Sequence, residues 1–230
     1  MRRCFTGLSF FVVLNVFFLA PAQQSDTLAL DQRVEILSRT YAAIPLYFAH
    51  WQGVGKLPLD SLYSAYLKQV IKTPDRYQFD LLMMEFVGRL NNGHSWYSDP
   101  WLYRKYGHPL GFFMTYLNNQ WVVTRSQVDG LKPGTVLAKF NGEPVEAWYQ
   151  KFRRYINGSN ERARRAKFAF QTYLFPDTLT IETGSGKKIT LQRKNQQWPE
   201  GRKVEGRWLK PNTIAYIQIP SFDDSENEST

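Results

Sequence analysis

A change of period constrains this chain more than any other feature. Between residues 30 and 90 apolar side chains return every third or fourth position; after Pro109 they come in short aromatic and β-branched runs separated by turn formers. The first pattern gives a helix one apolar face and the second gives a strand one, and neither serves the other purpose. We therefore expect an α+β fold, with a helical domain over residues 25–105 and a sheet module over 109–194. The connector should fall between Ser98 and His108, where neither period persists.

Three stripes make up the helical part. Leu30, Val34, Leu37, Tyr41, Ile44 and Phe48 form the first, in a helix read from Ser25 with a kink expected at Pro45. Leu59, Leu62, Tyr63, Tyr66, Leu67 and Val70 form the second, which Pro58 opens as a first-turn residue. Phe79, Leu82, Met83, Phe86, Val87 and Leu90 form the third. Asn91, Asn92 and Gly93 follow it, residue types that tolerate the left-handed backbone ending a helix. Each helix can bury its one apolar face against the other two.

In the second part "LGFFMTYL" and "WVVTR" flank "NNQ" and predict a hairpin. Pro133-Gly134 sets a turn, Thr135 to Phe140 a short strand, and Asn141-Gly142 a tight turn. A helix carrying Trp148, Phe152 and Tyr155 follows, and "GSN" (158–160) separates it from another. A second hairpin is expected over 177–194 around Gly184-Ser185-Gly186. Ile214 to Ile219 is apolar enough for a buried strand of some further sheet.

The two ends carry other signals. Arg2 and Arg3, the apolar run Leu8–Leu19 and Ala20-Pro21-Ala22 predict a signal peptide over residues 1–22, hence export to a periplasmic or extracellular space. The run is shorter than the ~20 apolar residues a spanning helix needs, so membrane contact is expected only in transit. Cys4 precedes that run and leaves the mature chain without a thiol, which excludes disulfides, cysteine catalysis and cysteine metal sites. Residues 150–210 hold 15 Lys and Arg against 5 Asp and Glu, whereas 221–230 hold four acids and no base and are expected to be a disordered tail. We read "RRYINGSNERARRAK" (153–167) as the solvated face of helices, and expect no nucleic-acid partner for an exported chain.

Here a resemblance enters. "GLKPGTVLAKFNGEPV" (130–145) is similar to a segment of PDZ domains in bacterial proteases, with Thr135 where an acid is usual. Four features follow in order: a helical part ending in Gly-His-Ser, this PDZ-like module, an "INGS" loop with a basic helix, and "IAYIQIPSF". In that order they resemble the S41 family of serine peptidases, the C-terminal processing and tricorn-type proteases. The resemblance implies an exported serine endopeptidase acting on peptide or unfolded protein, without metal or cofactor, whose catalytic domain starts over 204–220.

The resemblance also gives His94 a role. In the tricorn-like branch a histidine in such a Gly-His-Ser/Thr stretch is general base to a distant serine, and His94 matches it. An ordinary imidazole titrates near pH ~6.5 and can take and return a proton at neutral pH. The carbonyl end of the preceding helix opposes this, since it favours the imidazolium. The family's serine lies after the strand that Ile214–Pro220 resembles; Ser221, Ser225 and Ser229 lack a strand-turn-helix setting, so the sequence as given is expected to be inactive. "PLGF", Pro109, Leu110, Gly111 and Phe112, is similar to the loop with which PDZ domains hold a peptide carboxylate by backbone N–H groups. His50 and His108 read as a helix-terminal and a loop residue, and a non-enzymatic peptide-binding module is the alternative.

Overall fold

The computed structural model describes residues 26–201 and 204–219, so the signal-peptide segment and the acidic tail lie outside the described residues. Helix α1 (Leu30–Tyr47) starts later than Ser25, where the Gln32 side chain accepts the Ala29 N–H at 2.9 Å. Pro45 lies inside its last turn and forfeits a bond there, and the helix ends at Tyr47. A single turn, α2 (Trp51–Val54), is closed by Gly55 at φ 67°. Next come α3 (Leu59–Lys72), directly after Pro58, and α4 (Arg76–Gly88), capped by an Asp75 carboxylate that accepts the Gln78 N–H at 2.8 Å. Asn91, at φ 46°, turns the chain out of α4. Leu37, Ile44, Tyr66, Val70, Phe79 and Phe86 share one core, where the three stripes meet.

The expected connector is in part a helix. Asp99 accepts the Trp101 N–H at 2.8 Å and starts α5 (Pro100–Tyr106), whose Trp101 and Leu102 enter the core of the sheet module. An Asp-Pro start is a helix signal, but seven residues are too few to show a period.

Hairpin β1 (Phe112–Leu117) and β2 (Gln120–Ser126) closes on Asn118 and Asn119 at φ 49° and 60°, the left-handed pair that matches strand twist. Asn141 and Gly142 do the same, at φ 48° and 86°, between β3 (Val136–Phe140) and β4 (Glu143–Pro144). Helices α6 (Val145–Phe152) and α7 (Glu161–Lys167) precede the hairpin β5 (Thr178–Thr183) and β6 (Lys188–Gln192). The strands run β1-β2-β3-β5-β6, antiparallel throughout, with β4 also on β3. Helix α4 serves both cores: Leu82, Met83 and Phe86 pack among the helices, Leu81 and Met84 with the sheet.

A separate ribbon, β7 (Glu205–Lys210) with β8 (Ile214–Gln218), differs from expectation. Ile214–Ile219 was expected to be buried, yet Trp208, Leu209, Ile214 and Ile217 are each at least half exposed. β8 pairs with β7, a strand whose "EGRWLK" carries no alternation to reveal it.

One cation ties the two parts together. Arg193, just after β6, is fully buried, and its guanidinium donates to the carbonyls of Tyr106 (3.2 Å), His108, Thr172 (2.8 Å), Phe175 and Pro176 (3.3 Å). Burial pushes its pKa down to about 10, so it remains a cation near neutral pH. Arg193→Met would orphan those carbonyls in the interior. We expect a loss of about 3–5 kcal/mol, seen as a melting temperature lower by roughly 10 °C. A shift below about 2 °C would show that the junction holds without the cation.

Candidate functional site

Residues 91–97 cross from α4 toward α5 as a loop, and His94 is exposed on it. The loop borrows its order from elsewhere. Asn92 Oδ1 accepts the His94 N–H at 2.7 Å, an Asx turn. The Asn157 carboxamide donates to the carbonyls of Asn92 (3.3 Å), Gly93 (3.3 Å) and Ser95 (2.9 Å). The Lys167 ammonium donates to the Gly93 carbonyl at 2.8 Å and to Asn157 Oδ1 at 3.4 Å, and burial lowers its pKa. The Ser159 hydroxyl accepts the Gly93 N–H at 3.1 Å, and Arg164 donates to Asn91 Oδ1 at 2.6 Å.

These partners sit in or beside α7, and α7 is fastened to the sheet. Arg165 donates to both Glu146 oxygens, at 2.6 and 2.7 Å, and lies over the rings of Tyr116 (3.7 Å) and Tyr149 (4.5 Å). Those bonds hold the Glu146 carboxyl below its ordinary pKa, and Trp121 Nε1 donates to the same group at 3.0 Å. The basic stretch expected to be solvated is therefore docked on one face: the Arg165 side chain is 14% exposed.

The far end of the loop is anchored in the interior. Tyr97 donates its hydroxyl to Asp80 Oδ1 at 3.1 Å, while Asp99 accepts from Arg76 Nη2 at 2.7 Å and Nε at 3.1 Å. Asp80 is fully buried and its Oδ2 has no hydrogen-bond partner among the described residues. Burial first, then the Asp99 charge, pushes its pKa up to about 7.

Two clefts flank the loop. Gly93, Trp96 and Tyr97 line one of about 310 Å³ with Tyr155, Lys167 and Tyr173. His94 and Trp96 line the other, about 360 Å³, with Ile44, Phe48 and Val87. Among the described residues the His94 imidazole has no hydrogen-bond or ion-pair partner, and no group of His, Cys, Asp and Glu is placed to hold a metal ion. His50 is the N-cap of α2, and His108 gives its carbonyl to Arg193.

The loop expected to capture a peptide carboxylate is closed in this structure. Leu110, Gly111 and Phe112 are buried after a half-buried Pro109. Gly111 adopts φ 79°, and a Cβ there would lie 2.6 Å from Gln196 Oε1 and 2.9 Å from Val128 Cγ2. Trp198 stacks on Phe113 at 4.8 Å, and its carbonyl accepts from Gln127 Nε2 at 2.8 Å. A peptide end would have to displace the Gln196 side chain.

Sequence reading placed His94 but missed Asp80, Asn157 and Lys167 as its supports. The "INGS" loop marked Asn157 as part of a motif without giving it a partner. Asp80, inside "FDLLMMEF", showed only as an acid in an apolar run.

Two substitutions test the anchors. Asn157→Asp turns a donor to three carbonyls into an acceptor facing them, with an expected cost of about 1–3 kcal/mol and faster hydrogen exchange at Gly93 and His94. Unchanged exchange would mean that the loop is ordered by other contacts. For Asp80 the folded pKa lies above the ordinary 3.8, so its contribution to stability is full in acid and lost as pH rises from about 4 to about 7. Asp80→Asn still accepts from Tyr97 and cannot ionise; it should melt higher than wild type near pH ~8 and depend less on pH, with parallel profiles as the contrary outcome.

No family model matches this chain, and no curated protein does. Among solved structures a serine-to-alanine mutant of CPAF, the chlamydial protease-like activity factor, is 14% identical, with a TM-score of 0.51 over 70% of this chain and 33% of its own. Mature CPAF is 16% identical over 70% of this chain and 34% of its own, at a TM-score of 0.45. This chain thus spans about a third of CPAF, and at that identity the likeness to the mutant structure is one of fold.

Proposed function

We propose that the chain is the substrate-handling portion of an exported serine endopeptidase of the S41 type, with His94 as general base. One observation carries the proposal. The Gly93-His94-Ser95 stretch and the "INGS" loop with its basic helix are far apart in sequence and resemble one family, and Asn157, Ser159 and Lys167 hydrogen-bond directly to the first from the second. The fold likeness to CPAF, a serine protease of the tail-specific family, supports the same assignment.

In this proposal the clamp fixes the backbone on both sides of His94 and leaves the imidazole exposed toward substrate. The PDZ-like module over 109–194 is the scaffold from which α7 reaches the loop. The Trp96-lined clefts take peptide side chains, since Gln196 packs against Gly111 in the Pro109–Phe112 loop. The nucleophilic serine comes from sequence outside the described residues, following the strand that 214–220 resembles. Without it the described residues bind peptide and do not cleave it, because a base needs its nucleophile. The lack of an imidazole partner among the described residues favours a second reading, a peptide-binding module with no catalysis.

The complete product of the gene is the material for the test. Its kcat/KM on a fluorogenic peptide should fall about 10²- to 10⁴-fold in His94→Ala, with the melting temperature unchanged because the side chain is exposed. A variant that cleaves as fast as wild type removes His94 from catalysis. A wild-type product that neither cleaves peptide nor reacts with a fluorophosphonate leaves the binding module.

A further inference from the structure

A cleft on the other side of the α4 terminus carries charge that the proposed catalysis does not use. Arg89, Arg153, Arg154 and Arg164 line about 290 Å³ together with Glu85 and Ile156. Glu85 is the only carboxylate among the residues lining it, and it is already shared, 3.2 Å from Arg89 and 3.8 Å from Arg154. Arg153 has the neutral Gln150 as partner at 3.2 Å and Arg164 the neutral Asn91 at 2.6 Å. The carbonyl end of α4 accounts for a cation at Arg89, but Arg153 and Arg164 come from other elements. Four guanidiniums brought together against one carboxylate repel one another, and among the described residues lining the cleft no second carboxylate offsets that surplus.

We propose that this cleft binds an acidic stretch of peptide. Guanidinium forks match carboxylates in bidentate geometry, and a concave site partly shielded from water strengthens such pairs. No aromatic ring lines the cleft for base stacking, which disfavours single-stranded nucleic acid. Its position favours peptide over a free oxyanion: Arg164, on its wall, also holds Asn91 at the start of the His94 loop, so an acidic residue bound here lies on the same chain as one crossing the loop. The assignment names a substrate class for the proposed function and rests on it for the identity of the ligand, whereas binding itself requires no catalysis.

Fluorescence anisotropy with a labelled glutamate-rich peptide and its glutamine counterpart tests this on the full chain. The acidic peptide should bind about tenfold tighter or more and weaken with added salt. Arg153→Glu, alone and with Arg154→Gln, should lose about tenfold in affinity at an unchanged melting temperature, since both side chains are exposed. The binding assay reads no cleavage, so a failed cleavage assay and a failed binding assay are separate results. Equal affinity for the two peptides, or full affinity in both arginine variants, overturns the proposal. Competition by inorganic phosphate without preference for glutamate also overturns it and assigns the cleft to a small oxyanion.

Discussion

The buried guanidinium of Arg193 sets the terms for the rest of the fold. A cation in the interior is tolerated only where dipoles replace its water; here five backbone carbonyls accept from it, and the Asp177 charge adds a favourable field. Those carbonyls belong to the end of α5, to the approach to β1 and to the chain before β5. All three must present oxygen to one point, which fixes where the helical part meets the sheet. Helix α4 can then serve two cores at once, and the loop that leaves it starts from a rigid base.

From that junction the order runs outward through polar contacts. Arg165 and Glu146 fasten α7 across an aromatic bed formed by Tyr116, Trp121 and Tyr149. With α7 fixed, Lys167 and Asn157 reach the carbonyls of the His94 loop, and Tyr97 ties the loop's end to Asp80. Asn91 at φ 46° turns the chain off the α4 axis before His94.

What the sequence made legible was what local chemistry decides. The Asn118-Asn119 and Asn141-Gly142 turns need left-handed backbone, and the residue types announce it. The three helical stripes are read by period alone. Arg193 and Asp80 were not legible, because nothing beside them in sequence says that their partners are carbonyls 17 to 87 residues away or a tyrosine 17 residues on. Helix α5 and strand β7 failed for a different reason: each is too short for its period to rise above composition. The motif singled out His94 in the sequence, but not Asn157 and Lys167, which reach its loop through contacts 62 to 74 residues apart.

The ribbon of β7 and β8 bears on how such a site could be completed. A two-stranded ribbon is marginal in water unless one face is packed, and this one leaves Trp208, Leu209, Ile214, Tyr216 and Ile217 exposed. Apolar residues of that size are costly on a surface and informative when they cluster. Among the described residues nothing buries these side chains. In the proposed endopeptidase their cover is the catalytic sheet, extended from β8. The same burial that stabilises the ribbon would set the distance between a nucleophile beyond β8 and the His94 loop. In that proposal, packing of the ribbon and alignment of His94 with the nucleophile would be one event.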